Sequence, residues 1–270
     1  MDSSAVQSIG QLAVEAAKLN KLDTHTPAIV LLAGDGEQRV VSIEDLQEGR
    51  SRFRGRLVTN SLQDFVAYTK DNPGGSGFID AENVSARVFF NLGDVDDPGH
   101  GDWTATLKLK PTAEYDAMLE VIGKHLSQRN VIDFAEDWTS NISAVAPDGG
   151  YIPMSKALSA IRKLTIKATS EATHTEKDFG ARKSSIEDIE ASSDDGLPYA
   201  FCFNVIPYAD LSMRPFTLRL SVLTGGEKPQ LVLRAIALDA TKESIAQEFK
   251  KKLQDDIGSD ATLYLGTFTP

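Results

Sequence analysis

Four arginines, Arg50, Arg52, Arg54 and Arg56, alternate with Ser51, Phe53 and Gly55 in a chain of 270 residues. At a period of two they fall on one face of an extended strand, about 7 Å apart. Guanidinium groups so spaced repel one another unless anions lie between them. Their forked donors suit carboxylate or phosphate oxygens. Two kinds of partner fit: the protein's own carboxylates, including those of another subunit, or the phosphates of a nucleic acid or nucleotide. The chain carries 28 basic and 39 acidic side chains, a net charge of −11. Bulk attraction to nucleic acid is therefore excluded, and phosphate binding would need a local basic patch. The expected role is an anion or subunit-contact strip, with carboxylates as partners.

A second group gathers Asp94, Asp96, Asp97, His100 and Asp102 within nine residues. A calcium loop needs oxygen ligands at its first, third and fifth positions and a glutamate at its twelfth. Here the fifth is Pro98 and the twelfth is Ala105. A zinc site lacks a second histidine at useful spacing. The residue types fit a turn before a strand. Asp94, Asp96, His100 and Asp102 stay as candidates for a metal-dependent hydrolase, the third-ranked reading. Glu248-Phe-Lys250 resembles the end of a nuclease metal motif but falls on a helical pattern. His25, His100, His125 and His174 are scattered. No Ser/His/Asp or Cys/His set can be assembled. Trp103 and Trp138 lie on apolar stripes and read as core. Cys202, the single cysteine, lies in an apolar run and reads as a small buried hydrophobe. No cofactor and no resident metal is expected, and binding is expected over catalysis.

The elements that would hold these residues follow from periodicity. A helix is expected from Ala5 to about Leu22. A hairpin follows around Gly34-Asp35-Gly36, too poor in glycine and helix for a dinucleotide fold. Arg52–Thr59 reads as a strand, and Ser61, Thr112 and Ser127 read as helix caps. Asn72-Pro-Gly-Gly-Ser-Gly reads as a loop. Trp103–Lys110 alternates as a half-buried strand, with Trp103, Ala105, Leu107 and Leu109 on one face. A short helix opens at Met154. Long strands are expected over Leu164–Thr175, Tyr199–Ile206, Phe216–Leu223 and Leu231–Leu238. A helix runs from Thr241 to about Ile257, and a last strand spans Thr262–Phe268. The class is α+β, with mostly antiparallel sheets and amphipathic helices packed on one face. Two compact halves are expected, 1–150 and 151–270. Near the N-terminus no basic segment precedes a long apolar run, so no leader is expected. No stretch is long and apolar enough for a bilayer, so no membrane partner is expected.

Glu176–Pro198 is acidic and rich in serine. Glu187, Asp188, Glu190, Asp194 and Asp195 mark an arm that reaches a neighbouring subunit, the alternative being a solvated loop.

Several segments together resemble the YfdQ family of uncharacterised phage and prophage proteins. They are Gly55 with its arginine-rich lead-in, Ser61-Leu-Gln-Asp-Phe-Val-Ala-Tyr and Pro98-Gly-His-Gly-Asp-Trp-Thr-Ala-Thr-Leu. Further matches are Leu126-Ser-Gln-Arg-Asn-Val-Ile-Asp-Phe-Ala-Glu-Asp, Ser185-Ile-Glu-Asp-Ile-Glu-Ala, Leu197-Pro, Phe216-Thr-Leu-Arg-Leu and Glu248-Phe. The resemblance implies a phage or prophage origin and a place in the host cytoplasm, and it transfers no catalytic residue. Such proteins sit among accessory, recombination and counter-defence genes. The expected function is a non-enzymatic accessory protein that assembles into a homo-oligomer and binds a host or phage protein. The alternative is a nucleic-acid or nucleotide binder tied to phage recombination or signal sequestration.

Overall fold

The computed structural model describes residues 7–12, 27–32, 38–164, 197–223 and 230–270. The chain divides into two compact units, Met1–Gly55 and Arg56–Pro270.

In the first unit, residues 7–12 are helical and exposed. Strands β1 (Ala28–Leu32) and β2 (Gln38–Ser42) pair antiparallel, Ala28 opposite Ser42, as the hairpin pattern predicts. A single 3-10 turn, Glu44–Leu46, follows.

The second unit is built on two five-stranded sheets. The first has the order β12-β4-β5-β6-β3. Its members are β3 (Gly55–Thr59), β4 (Gly75–Asp80), β5 (Ser85–Phe89), β6 (Trp103–Lys108) and β12 (Ala261–Leu265). The other has the order β11-β10-β9-β7-β8. It comprises β7 (Ile142–Val145), β8 (Tyr151–Ile152), β9 (Ala200–Val205), β10 (Arg214–Leu223) and β11 (Gln230–Ala235). The pairs β10–β11, β10–β9, β7–β8, β7–β9, β4–β5 and β5–β6 are antiparallel, and β12 runs parallel to β4. The fold is α+β, as the alternating strands and amphipathic helices predict. The two halves expected from the sequence share the second sheet, since β7 precedes residue 150 and pairs with β9.

Helices begin where side chains can cap them. Ser61 Oγ accepts the Asp64 N–H at 3.2 Å and starts α1 (Leu62–Asp71). Thr112 Oγ1 accepts from Tyr115 at 3.3 Å and starts α2 (Ala113–Val121). Ser127 Oγ accepts from Asn130 at 3.1 Å and starts α3 (Gln128–Asp137). Each cap satisfies an N–H that has no partner inside its helix. Helix α4 (Met154–Lys163) opens after Pro153, and α5 (Leu238–Ile257) after Ala237 in the left-handed region.

One core joins the sheets and helices of this unit. Helix α5 buries Ile245, Phe249, Leu253 and Ile257, one residue per turn on a single stripe. Phe65 of α1, Leu107 of β6, Phe201 and Phe203 of β9, and Leu231 and Leu233 of β11 are all fully buried. Trp103 is partly buried on β6, where its indole N–H donates to the hydroxyl of Tyr68, a residue packed against the core, at 3.0 Å.

Three expectations need correction. The loop expected over Asn72–Gly77 ends at Gly74, and Gly75 and Gly77 are strand residues, because β4 begins at Gly75. A Cβ on Gly77 would meet Leu263 Cδ2 at 2.5 Å and Val88 Cγ2 at 3.1 Å, so a side chain there would displace the Leu263 side chain. The last strand ends at Leu265 rather than Phe268. Cys202 is only half-buried, because Phe201 and Phe203 take the core side of β9. The expected strand Leu164–Thr175, beyond its first residue, lies outside the described residues.

Candidate functional site

The arginine strip is not one strand face. Extended pairing starts at Gly55, so Arg50, Arg52 and Arg54 precede the strand and belong to the first unit; Arg56 belongs to the second. The physical reason lies at Glu44, which is 5% exposed. A buried carboxylate is costly unless charge and hydrogen bonds compensate it. Arg54 Nη2 pairs with Glu44 Oε2, and the Ser51 N–H and hydroxyl both donate to Oε1 at 3.1 Å. Burial pushes the Glu44 carboxyl up, but donation from Ser51 and Arg54 outweighs it and holds the group below the ordinary carboxylate value. Arg50 Nη1 donates to the Arg54 carbonyl at 3.3 Å. Arg54 thus meets a carboxylate of its own unit, one of the two partner types the spacing allowed.

Asp94 and Asp102 brace a turn with their side chains, Asp96 enters it through its backbone N–H, and His100 is exposed beside it. Asp94 Oδ1 accepts the backbone N–H groups of Asp96 and Asp97 at 2.9 and 2.8 Å. Gly93 and Pro98 bridge across this turn. Asp102 Oδ1 accepts from Asn91 Nδ2 at 2.9 Å, while Asn91 Oδ1 accepts the Trp103 N–H at 3.0 Å. Gly93 adopts φ +70°, and a Cβ there would collide with the Asp97 carbonyl oxygen. Among the described residues, no three His, Cys, Asp or Glu side chains come together as a metal-ligand group. The acidic arm residues Glu187, Asp188, Glu190, Asp194 and Asp195 lie outside the described residues.

Sequence reasoning missed a second carboxylate cage. Arg214 Nη2 on β10 donates to Glu248 Oε2 on α5 at 2.6 Å. Ser212 donates to Glu248 Oε1 through its N–H at 2.7 Å and its hydroxyl at 2.6 Å. Arg214 Nη1 also reaches Ser244 Oγ at 2.8 Å. Burial raises the Glu248 carboxyl, yet hydrogen bonds from Ser212 and the Arg214 guanidinium bring it below its ordinary value. In the core, burial and then the Tyr208 phenol push the Tyr115 phenol up to about 12. Only the helical pattern around Glu248 was readable; its partners lie 34 and 36 residues away.

The sheet ends differ in how they are protected. An unprotected edge is a template for pairing with another chain. At β11, Gly123 donates to the Leu233 carbonyl, and Leu126 and Leu231 exchange N–H donors, each at 2.8 Å. Strand β8 is two residues long. Strand β3 carries Arg56. Strand β12 reads Ala-Thr-Leu-Tyr-Leu, with no charge and no proline. It ends its sheet, with Tyr264 51% and Leu265 60% exposed. This edge is the candidate interface.

Fold and sites thus define an α+β protein with carboxylates caged by arginine and serine and, at β12, an uncharged end to a five-stranded sheet that no other described strand covers. A family model described as "Uncharacterized conserved protein (DUF2303)" matches residues 1–268, and the chain belongs to that family. No curated protein and no solved structure matches it. Among the described residues, no helix is long and apolar enough to cross a membrane.

Proposed function

We propose that this chain is a phage or prophage accessory protein of the YfdQ kind. It acts in the host cytoplasm by self-association and binding, not by turnover, and counter-defence is the role that fits such a protein. The observation that carries self-association is the contrast among sheet ends. Of the four ends of the two five-stranded sheets, three carry a cap, a charge or minimal length, and β12 carries none among the described residues. Natural sheets blunt an edge that must stay solitary, so an apolar edge left bare supports pairing with a second copy. The acidic arm, Glu187 to Asp195, adds a segment that a basic surface of a neighbour would orient.

Light scattering on the purified protein at low and high salt tests the reading. The expected result is an oligomer under both conditions and a monomer for Leu265→Lys, with unchanged circular dichroism. A parent protein that is monomeric at both salts removes the proposal.

A further inference from the structure

The outer face of the first five-stranded sheet, away from the core, has a composition unlike the rest of the chain. On β5, Ala86 and Val88 point into the core, so Ser85, Arg87 and Phe89 point out. On β4, Gly77 and Ile79 point in, and Ser76, Phe78 and Asp80 point out. By the same alternation Tyr264 of β12, Thr104, Thr106 and Lys108 of β6, and Arg56 and Val58 of β3 share this face. Tyr264, Phe78, Arg87 and Thr106 are successive Cα partners and form one row across four strands.

The row is divided by chemistry. Its β12–β4 side is aromatic: the Tyr264 and Phe78 rings stack at 5.5 Å and 25°. Phe268, from the segment after β12, lies on Phe78 at 4.7 Å and 12° and remains 39% exposed. The β5–β6–β3 side is cationic. Arg87 uses Nε to bond Thr106 Oγ1 at 3.2 Å and sits 5.9 Å from the Phe89 ring centre. Its terminal nitrogens, and the side chains of Arg56, Lys108 and Lys110, have no hydrogen-bond or ion-pair partner among the described residues. Among the strand residues of this sheet only Asp80 is acidic, and Asn83 donates to both its oxygens. In a chain with a surplus of eleven acids, no described carboxylate neutralises these cations.

We propose that this face binds single-stranded nucleic acid. Phe89 and Thr104 of this face are buried, and the rings left exposed are Tyr264 and Phe268; exposed flat rings on a sheet accept nucleobases through their π faces without regard to sequence. A row of unpaired Arg and Lys a few strands away accepts the phosphates that follow each base. Phe268 marks the stacking slot, because a planar ring already lies parallel to Phe78 there. An acidic peptide would satisfy the cations but leave the stacked rings unused. The charge balance of the whole chain hides the site, since the basic field is local. This reading rests on a different observation from self-association through the β12 edge, and either can fail alone.

Fluorescence anisotropy with a labelled oligodeoxythymidine of about 16 nucleotides tests it, at about 50 and about 200 mM salt. The expected result is binding that weakens as salt rises, and a loss of at least about tenfold in affinity for Arg87→Ala/Lys108→Ala. The double variant Arg129→Ala/Arg162→Ala removes the same charge from the exposed α3–α4 surface and is expected to bind like the parent. Circular dichroism confirms that each variant is folded. The proposal is overturned if the parent does not bind. Equal binding by the Arg87/Lys108 variant, or equal competition by a polyglutamate peptide, overturns it as well.

Discussion

Arg214 on β10 and Glu248 on α5 meet at 2.6 Å and tie the long helix to the second sheet. Their side chains are about four-fifths shielded, at 20% and 22% exposure, so solvent screens the pair less than a surface ion pair. Glu248 is also held by Ser212, and Arg214 by Ser244. Removing one partner leaves the other charge short of donors or acceptors in a poorly hydrated place. Arg214→Ala is expected to destabilise the fold by about 1–3 kcal/mol, read as a lower urea midpoint. Arg214→Lys keeps the charge but not the fork, and its midpoint should fall between the two.

Acid should weaken the protein through the same carboxylates. Glu44 and Glu248 both have folded values below the ordinary 4.5. As pH falls, the unfolded chain therefore takes up protons before the folded one does. The stability these groups contribute is fully present above about 4.5 and is lost as pH drops through their folded values. Urea midpoints measured from neutral pH down to about pH 3 should fall. Glu248→Gln should start lower and show a shallower fall, because one of the linked protons is gone.

A side chain at Gly77 should cost stability. Its Cβ would stand 2.5 Å from Leu263 Cδ2 and 3.1 Å from Val88 Cγ2, so the Leu263 and Val88 side chains must repack to admit it. Gly77→Ala is expected to cost about 1–3 kcal/mol through overpacking, and Gly77→Val more. A methyl group on Gly55 would meet nothing within 4 Å, so Gly55→Ala is the neutral control. Thermal melts of the three variants distinguish these outcomes.

Local sequence carried much of the architecture. The caps at Ser61, Thr112 and Ser127 were readable because the capping side chain and the N–H it accepts lie three residues apart. The in–out alternation from Trp103 was readable because strand side chains have a period of two. The turn at Asp94 was readable from its Asp, Pro and Gly content. The arginine spacing was readable too, but its meaning was not. Arg54 turns to Glu44 while Arg56 enters a sheet, and nothing in an alternating pattern says where pairing begins.

Sequence alone determined the helices, most strands, the α+β class and the acidic balance, because each depends on neighbours within a few residues or on simple composition. Tertiary structure decided which strands meet, and with them every site described above. Strand β12 lies beside β4 although more than 180 residues separate them, and that pairing places Tyr264 against Phe78 and closes Leu263 over Gly77. Such contacts form because burying the core outweighs the loop-closure entropy of bringing distant segments together, a balance set by the whole fold and written in no single stretch of chain.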